Sequence, residues 1–331
     1  MSGELDACNT GARDRITGKG GKPPMLKEIL EVIDLLDDPD NGADAFEGLL
    51  GAGGHEIERD SFSGPLGSTE FIKILFPGTE GKSRGGDAPT LGIIGSNGGL
   101  RLPGPRPGLT SDADGCIVGL SCALRLRRMA ERRQTTRGDV IVSTHICQEA
   151  HPEPHDPFPF VMSPLPSSEK HPRMIDARMD AILTPETCKG NKLVSATAFA
   201  ITPPVKEGYI LRPHASMLHI MEMVTGRNPV IFPITMQDIT PFESGVHHVC
   251  GMVIPSVFGP APVIGVPIAM EQPILPAATN VQQPVALEAA GRFCIEVAVS
   301  FGLGDCRFYH DSDFEAFTQA YGGIRRWQAR Y

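Results

Sequence analysis

The stretch GLTSDADGCIVGLSCALRLRRMAERR, Gly108–Arg133, decides how the chain is read. It places Asp112 and Asp114 one residue apart in a turn, directly before an apolar pattern at helical spacing. Ser111, Asp112 and Asp114 are ordinary helix-capping types, each worth about 1 kcal/mol in that role. One aspartate suffices for a cap, and a second adds like-charge repulsion unless a cation or donor groups offset it. The turn therefore reads either as a cap or as half of a metal or catalytic site. The segment GDVIVSTHICQEAHPEPHDP, Gly138–Pro157, offers the other half, a strand running into His145, Cys147, Glu149, His151 and His155.

Outward from this point, apolar runs bounded by Gly or Pro alternate with helical patterns. Helices are predicted at Met25–Leu36, Ala43–Leu50, Ile117–Arg133 and His214–Val224, with the longest at Val281–Phe301. Strands are predicted at 69–78, 88–96, 138–146, 178–187, 228–235 and 261–270, and the prolines of 199–211 make that run an edge strand. The stretch 246–259 reads equally as a helix broken at Pro255 or as a pair of strands. The alternation implies an α/β fold: a mixed, mostly parallel central sheet with helices on both faces. Residues 1–24 are polar and Gly-rich and read as a flexible tail, followed by one α/β domain over 25–331.

Composition narrows the function. A net charge of −9 argues against a general nucleic-acid binder, and no apolar run is long enough to span a membrane. The basic cluster Arg125, Arg127, Arg128, Arg132 and Arg133 reads as dipole compensation on a solvated helix end. Eight cysteines without a CxxC pair suggest buried free thiols in a reducing, cytoplasmic setting. The glycines of GSNGGLRLPGPRPG most simply allow turns, since the P-loop lysine is missing. His247 and His248 are adjacent, so at most one of them joins a site. Lys206, Glu207 and Tyr209, and Gln237 with Asp238, stand in polar breaks between apolar runs and are candidate substrate contacts.

The runs GGDAPTLGIIG, GLTSDADG with GDVIVSTHIC, IMEMVTGR, and AAGRFCIEVAVSFGLGDCRFY together resemble a bacterial family known only as a domain of unknown function. His145, Cys147 and His155 fall on its pattern, and His151 does not. The order of elements is also similar to the catalytic domain of dinuclear-metal deblocking aminopeptidases, with a phosphorylase/hydrolase-like fold. There the acidic turn corresponds to the metal-bridging aspartate, VIVSTHICQEA to the strand bearing the glutamate base, and MDAILTPET to a further acidic ligand. The first ligand histidine of those enzymes has no counterpart here, and their last histidine falls near Glu271.

That resemblance implies a metal-dependent hydrolase of a small peptide, amide or lactam. Asp112 or Asp114 would hold a divalent ion with His145 or His155 and Glu186, and Glu149 would deliver water as general base. Mixed nitrogen and oxygen ligands suit zinc, cobalt or manganese. Two alternatives stand beside it: a metal-free racemase or amidase using Cys147 activated by His145, and a binding protein on a hydrolase-like scaffold. The expected partner is a small-molecule or peptide substrate, with no nucleic acid or membrane, and self-association into a homo-oligomer is left open.

Overall fold

The computed structural model describes residues 24–103, 108–154, 159–241, 244–246, 248 and 250–323. The expected tail therefore lies outside the described residues except at Pro24.

Two helices come first, α1 (Leu26–Asp37) and α2 (Ala43–Leu50), followed by strands β1 (Glu56–Gly64), β2 (Gly67–Phe76) and β3 (Leu91–Gly95). Helix α3 (Asp114–Glu131) leads to β4 (Val140–Ile146) and a short arm of β5 (His151–Glu153) and β6 (Phe160–Met162). Then follow α4 (Ser167–Met174), β7 (Ala181–Thr187), the two-residue strands β8 (Ala198–Phe199), β9 (Val205–Lys206) and β10 (Tyr209–Ile210), and α5 (Ala215–Thr225). The chain closes with α6 (Pro255–Phe258), β11 (Val263–Ala269), α7 (Pro284–Leu303) and α8 (Asp311–Tyr321).

The main sheet has the order β1-β2-β4-β3-β7-β11-β9-β10, with β8 also on β11. Its centre, β4-β3-β7-β11, is parallel. The hairpin β1-β2 adds antiparallel strands at one side, and the short pieces add them at the other. The predicted architecture is thus present: a mixed, mostly parallel sheet. Alternation along each strand divides two apolar layers. Ile72, Ile74, Val140, Val142, Ile93 and Leu183 face α1, α2, α3, α5 and α7. Phe71, Leu75, Ile141, Ile94, Ile182 and Val263 face Met174 of α4 and the loops around Phe232 and Met252. The central strands are buried on both faces, which is why they read as continuous apolar runs.

Three expectations need correction, and one strand was not foreseen. Strand β1 is exposed and polar, so no apolar run announced it. The strand predicted at 228–235 is only an isolated bridge of Ile231 to Ile201, because Pro229 and Pro233 interrupt the ladder. The run 199–211 breaks into two-residue pieces at its prolines. Arg125 is not on a solvated surface. It is buried and pairs with buried Glu28 at 3.7 Å, while Arg128 reaches the same carboxylate at 3.2 Å. Among the described residues no helix is long and apolar enough to cross a membrane.

Candidate active site

Strand β3 sends the chain through α3 to β4 on one side of it, and the chain then returns through α4 to β7 on the other. The crevice at the carboxyl ends of β3 and β7 is therefore a topological switch point, where open α/β sheets collect their ligands. An inner cavity of about 60 Å³ lies there, lined by Ser96, Asn97 and Gly98 after β3, and by Glu186, Thr187 and Cys188 at the end of β7. Asp112, Lys170, His171 and Cys250 complete its polar and thiol wall.

Close backbone packing forms the wall. A side chain at Gly98 would meet the Val161 carbonyl at 1.8 Å, and one at Gly115 would meet the Ser96 carbonyl at 1.9 Å. With no side chain at either position, the loop after β3 folds over the start of α3. The Gly98 and Gly99 amides then donate to Oδ2 of Asp112, the latter at 3.0 Å. These glycines are turn-formers, as expected, but their amides also hold an acid.

Burial raises the Asp112 carboxyl to about 7, against the two amides that favour its ionised form, and the Glu186 charge pushes in the same direction as burial. Glu186 is raised as well, chiefly by burial, against hydrogen bonds from Ser96, Cys250 and the Gly251 amide and the nearby Lys170 ammonium. Two carboxyls thus share one buried cavity with the Lys170 ammonium, an arrangement that retains a proton near neutral pH. Lys170 donates to the Asn97 carbonyl at 3.0 Å. Oε2 of Glu186, Oδ1 of Asn97 and both ring nitrogens of His171 are buried with no hydrogen-bond partner in the protein. Buried polar atoms normally have partners, so a cluster of open atoms around one cavity makes it the candidate ligand site.

The structure separates the residues that the sequence grouped. Asp112 and Glu186 meet at the cavity. Asp114 does not join them, because it forms an ion pair with Lys189 at 2.7 Å, both side chains fully buried. The repulsion expected between the two aspartates is therefore relieved at each separately, by amides at one and by an ammonium at the other. His145 lies near the same loop with both nitrogens engaged: Nδ1 accepts from the Thr69 hydroxyl at 2.9 Å, and Nε2 donates to the Asn97 carbonyl at 2.8 Å. Burial first, then the Lys170 charge, lowers it to about 3, so the ring is a neutral brace without a free lone pair. Cys147 is buried with Ala150 and Val161, and burial raises its thiol to about 11. Its Sγ donates to the Glu149 carbonyl, and His145 is committed elsewhere. Glu149 is exposed and lines a separate outer cleft with Arg101 and Gln148. His155 and His247 lie outside the described residues.

The candidate substrate contacts are also elsewhere. Lys206 donates to the Pro260 carbonyl at 2.8 Å and stands 4.9 Å over the Phe314 ring. Glu207 occupies a turn at φ 50° and lies 3.6 Å from Lys206. The Tyr209 hydroxyl donates toward the carbonyls of Phe317 and Gly322, so this region anchors α8. Gln237 accepts from the Thr235 hydroxyl. Asp238 is buried, accepts from the Thr235 amide, and reaches the Cys250 amide at 3.5 Å, which supports the cavity wall from behind.

Sequence reading passed over Lys170, His171, Asn97, Cys188 and Cys250. The signal for the first two was the basic pair in SSEKHPRM, hidden by Pro172 inside a short helix. Among the described residues, no three His, Cys, Asp or Glu side chains converge as ligands of one metal ion. The cavity wall gathers the Asp112 and Glu186 carboxyls, the His171 imidazole and the Cys188 and Cys250 thiols, with the Lys170 ammonium beside them.

A family profile described as "Protein of unknown function (DUF1177)" matches residues 60–330. The chain belongs to this family. No curated protein matches it in sequence. Among solved structures, the DUF1177 chain is similar to one titled "Bottromycin maturation enzyme BotP". Their identity is 11%, the TM-score is 0.51, and the match covers 83% of this chain and 70% of the other. At that identity the likeness is one of fold.

Proposed function

We propose that this DUF1177 protein is a hydrolase of a small peptide, amide or lactam, with its chemistry in the cavity of Asp112, Glu186 and Lys170. The observation that carries the reading is the pair of buried carboxyls at the switch point of the sheet, one of them raised to about 7. Such a pair supplies a proton acceptor and a proton donor in one place. The ionised partner takes a proton from water attacking the carbonyl carbon, and the protonated partner gives one to the leaving nitrogen. The Lys170 ammonium offsets the charge developing on the carbonyl oxygen. A fold shared with a protein titled a maturation enzyme is in keeping with this reading.

The test follows ammonia or amine release from a panel of dipeptides, amino-acid amides and lactams. It is run with the chelated protein and with added zinc, cobalt or manganese. Turnover in chelator, falling as pH rises through about 7, supports the reading, because the proton donor is lost as Asp112 ionises. A strict requirement for one of the three metals transfers the electrophile's role from Lys170 to the ion. Absence of turnover on every substrate under every condition removes the hydrolase.

A further inference from the structure

We infer that a second cavity, outside the first, receives an aliphatic or aromatic substituent of the ligand whose hydrogen-bonding head occupies the inner cavity. The outer cavity holds about 330 Å³ and shares Phe160, Met162, Ser163 and Leu165 with the inner one. Strand β6 and the loop between it and α4 therefore form one wall common to both. The inner cavity, about 60 Å³, has room for a head group of a few heavy atoms and no more. Its unpartnered Glu186 Oε2 and Asn97 Oδ1 are acceptors, so the head that satisfies them carries N–H donors, as an amide or an ammonium does.

The rest of the ligand extends past the shared wall, where it meets an apolar side of Leu66, Pro164, Pro166 and Val246 opposite the polar His151, Glu153 and His248. Leu66 is 58% exposed and Val246 44% exposed, yet both line this concave surface with Pro164 and Pro166. Single exposed apolar residues are ordinary, but several arranged around a hollow that shares a wall with a polar cavity have the composition of a ligand site. The ligand class is thus a small amide or amine bearing a bulky apolar side group. This assignment rests on the proposed function only in taking the inner cavity as the site.

The test is calorimetric titration of the full chain with glycinamide, leucinamide and phenylalaninamide. Leucinamide and phenylalaninamide are expected to bind roughly tenfold or more tightly than glycinamide, from apolar surface buried in the outer cavity. Val246→Asp and, separately, Leu66→Asp should weaken leucinamide binding by about tenfold and leave glycinamide within about twofold. Retained glycinamide binding also shows that each variant is folded. Equal affinity for the three amides, equal weakening of all by both variants, or no binding of any overturns the inference. Selective binding without ammonia release from any bound amide sinks the hydrolase and leaves the apolar cavity standing. Hydrolysis with no preference for the larger side groups does the reverse.

Discussion

Two groups of buried polar residues lie at the same end of the sheet, and they differ in how completely they are bonded. Around His145, both imidazole nitrogens have partners, in the Thr69 hydroxyl and the Asn97 carbonyl. Around the inner cavity, Glu186, Asn97 and His171 each keep buried atoms with no partner in the protein. An unmade hydrogen bond in the interior costs about 1–3 kcal/mol, so a chain tolerates several only where something else makes them. Full bonding fits the first group as architecture, and the open atoms make the second the candidate site. Residue type alone favoured the opposite assignment, since histidines and a cysteine attract more attention than an asparagine and a lysine.

The largest effect that would break this contrast is on catalysis. Glu186→Gln and Asp112→Asn should each lower kcat/KM by about 10²–10⁴, the usual weight of a proton-transfer group, with the melting temperature held or raised. A fall in stability with turnover per folded molecule unchanged would place both residues in the architecture instead. Glu186→Gln has a second signature. It removes a charge that helps raise the Asp112 carboxyl, so any residual rate should begin to fall at lower pH than in the parent.

Next in size is the pair behind the cavity. Lys189→Met leaves the buried Asp114 carboxyl without its counter-ion, so it must take up a proton or stay charged in the interior, and should cost about 3–5 kcal/mol in urea unfolding. Because Asp114 is not part of the cavity wall, folded protein should keep its turnover. The double change of Asp114→Leu with Lys189→Met should recover most of the loss, as replacing a whole buried pair often does.

The pH dependence of stability separates the two groups again, with opposite signs. Asp112 is raised in the folded state, so the native protein holds its proton more tightly than the unfolded chain does. Stability from this group is full at acid pH and declines as pH rises from about 4 through about 7. His145 is lowered to about 3, so the unfolded chain binds its proton more tightly, and stability from this group declines as pH falls below about 6.5. Denaturation series should show the neutral-pH decline vanish in Asp112→Asn and the acid-side decline shrink in His145→Gln.

The architecture was legible because the central strands carry their signal locally: LGIIG, VIVSTHI and VIGVPIA are buried on both faces and bounded by turns. Both members of the acidic pair were among the candidates too. Asp112 and Glu186 come from separate strand ends that an α/β reading already brings to one edge. Partnership was not legible. Which aspartate receives amides and which receives an ammonium depends on Gly98 and Lys189, the latter 75 positions beyond Asp114 in a loop without a motif. Lys170 was hidden for a related reason: a helix of eight residues with an internal proline has too few turns to display a periodic face.

The smallest expected effect tests the residue that looked most reactive. Cys147 stands two positions from His145, a spacing that puts both on one face of an ideal strand. The strand ends at Ile146, so Cys147 turns instead into a small apolar cluster with Ala150 and Val161, where burial keeps its sulfur protonated at neutral pH. A thiol in that state is a poor nucleophile. Cys147→Ala should leave kcat/KM within about twofold and cost roughly 1 kcal/mol of stability through lost packing. Mild alkylation at neutral pH should leave Cys147 unlabelled in the folded protein, as peptide mass analysis would show. Rapid stoichiometric labelling with loss of turnover would return the thiol to the chemistry. It would also mean that complete bonding in a fold does not separate architecture from site in this chain.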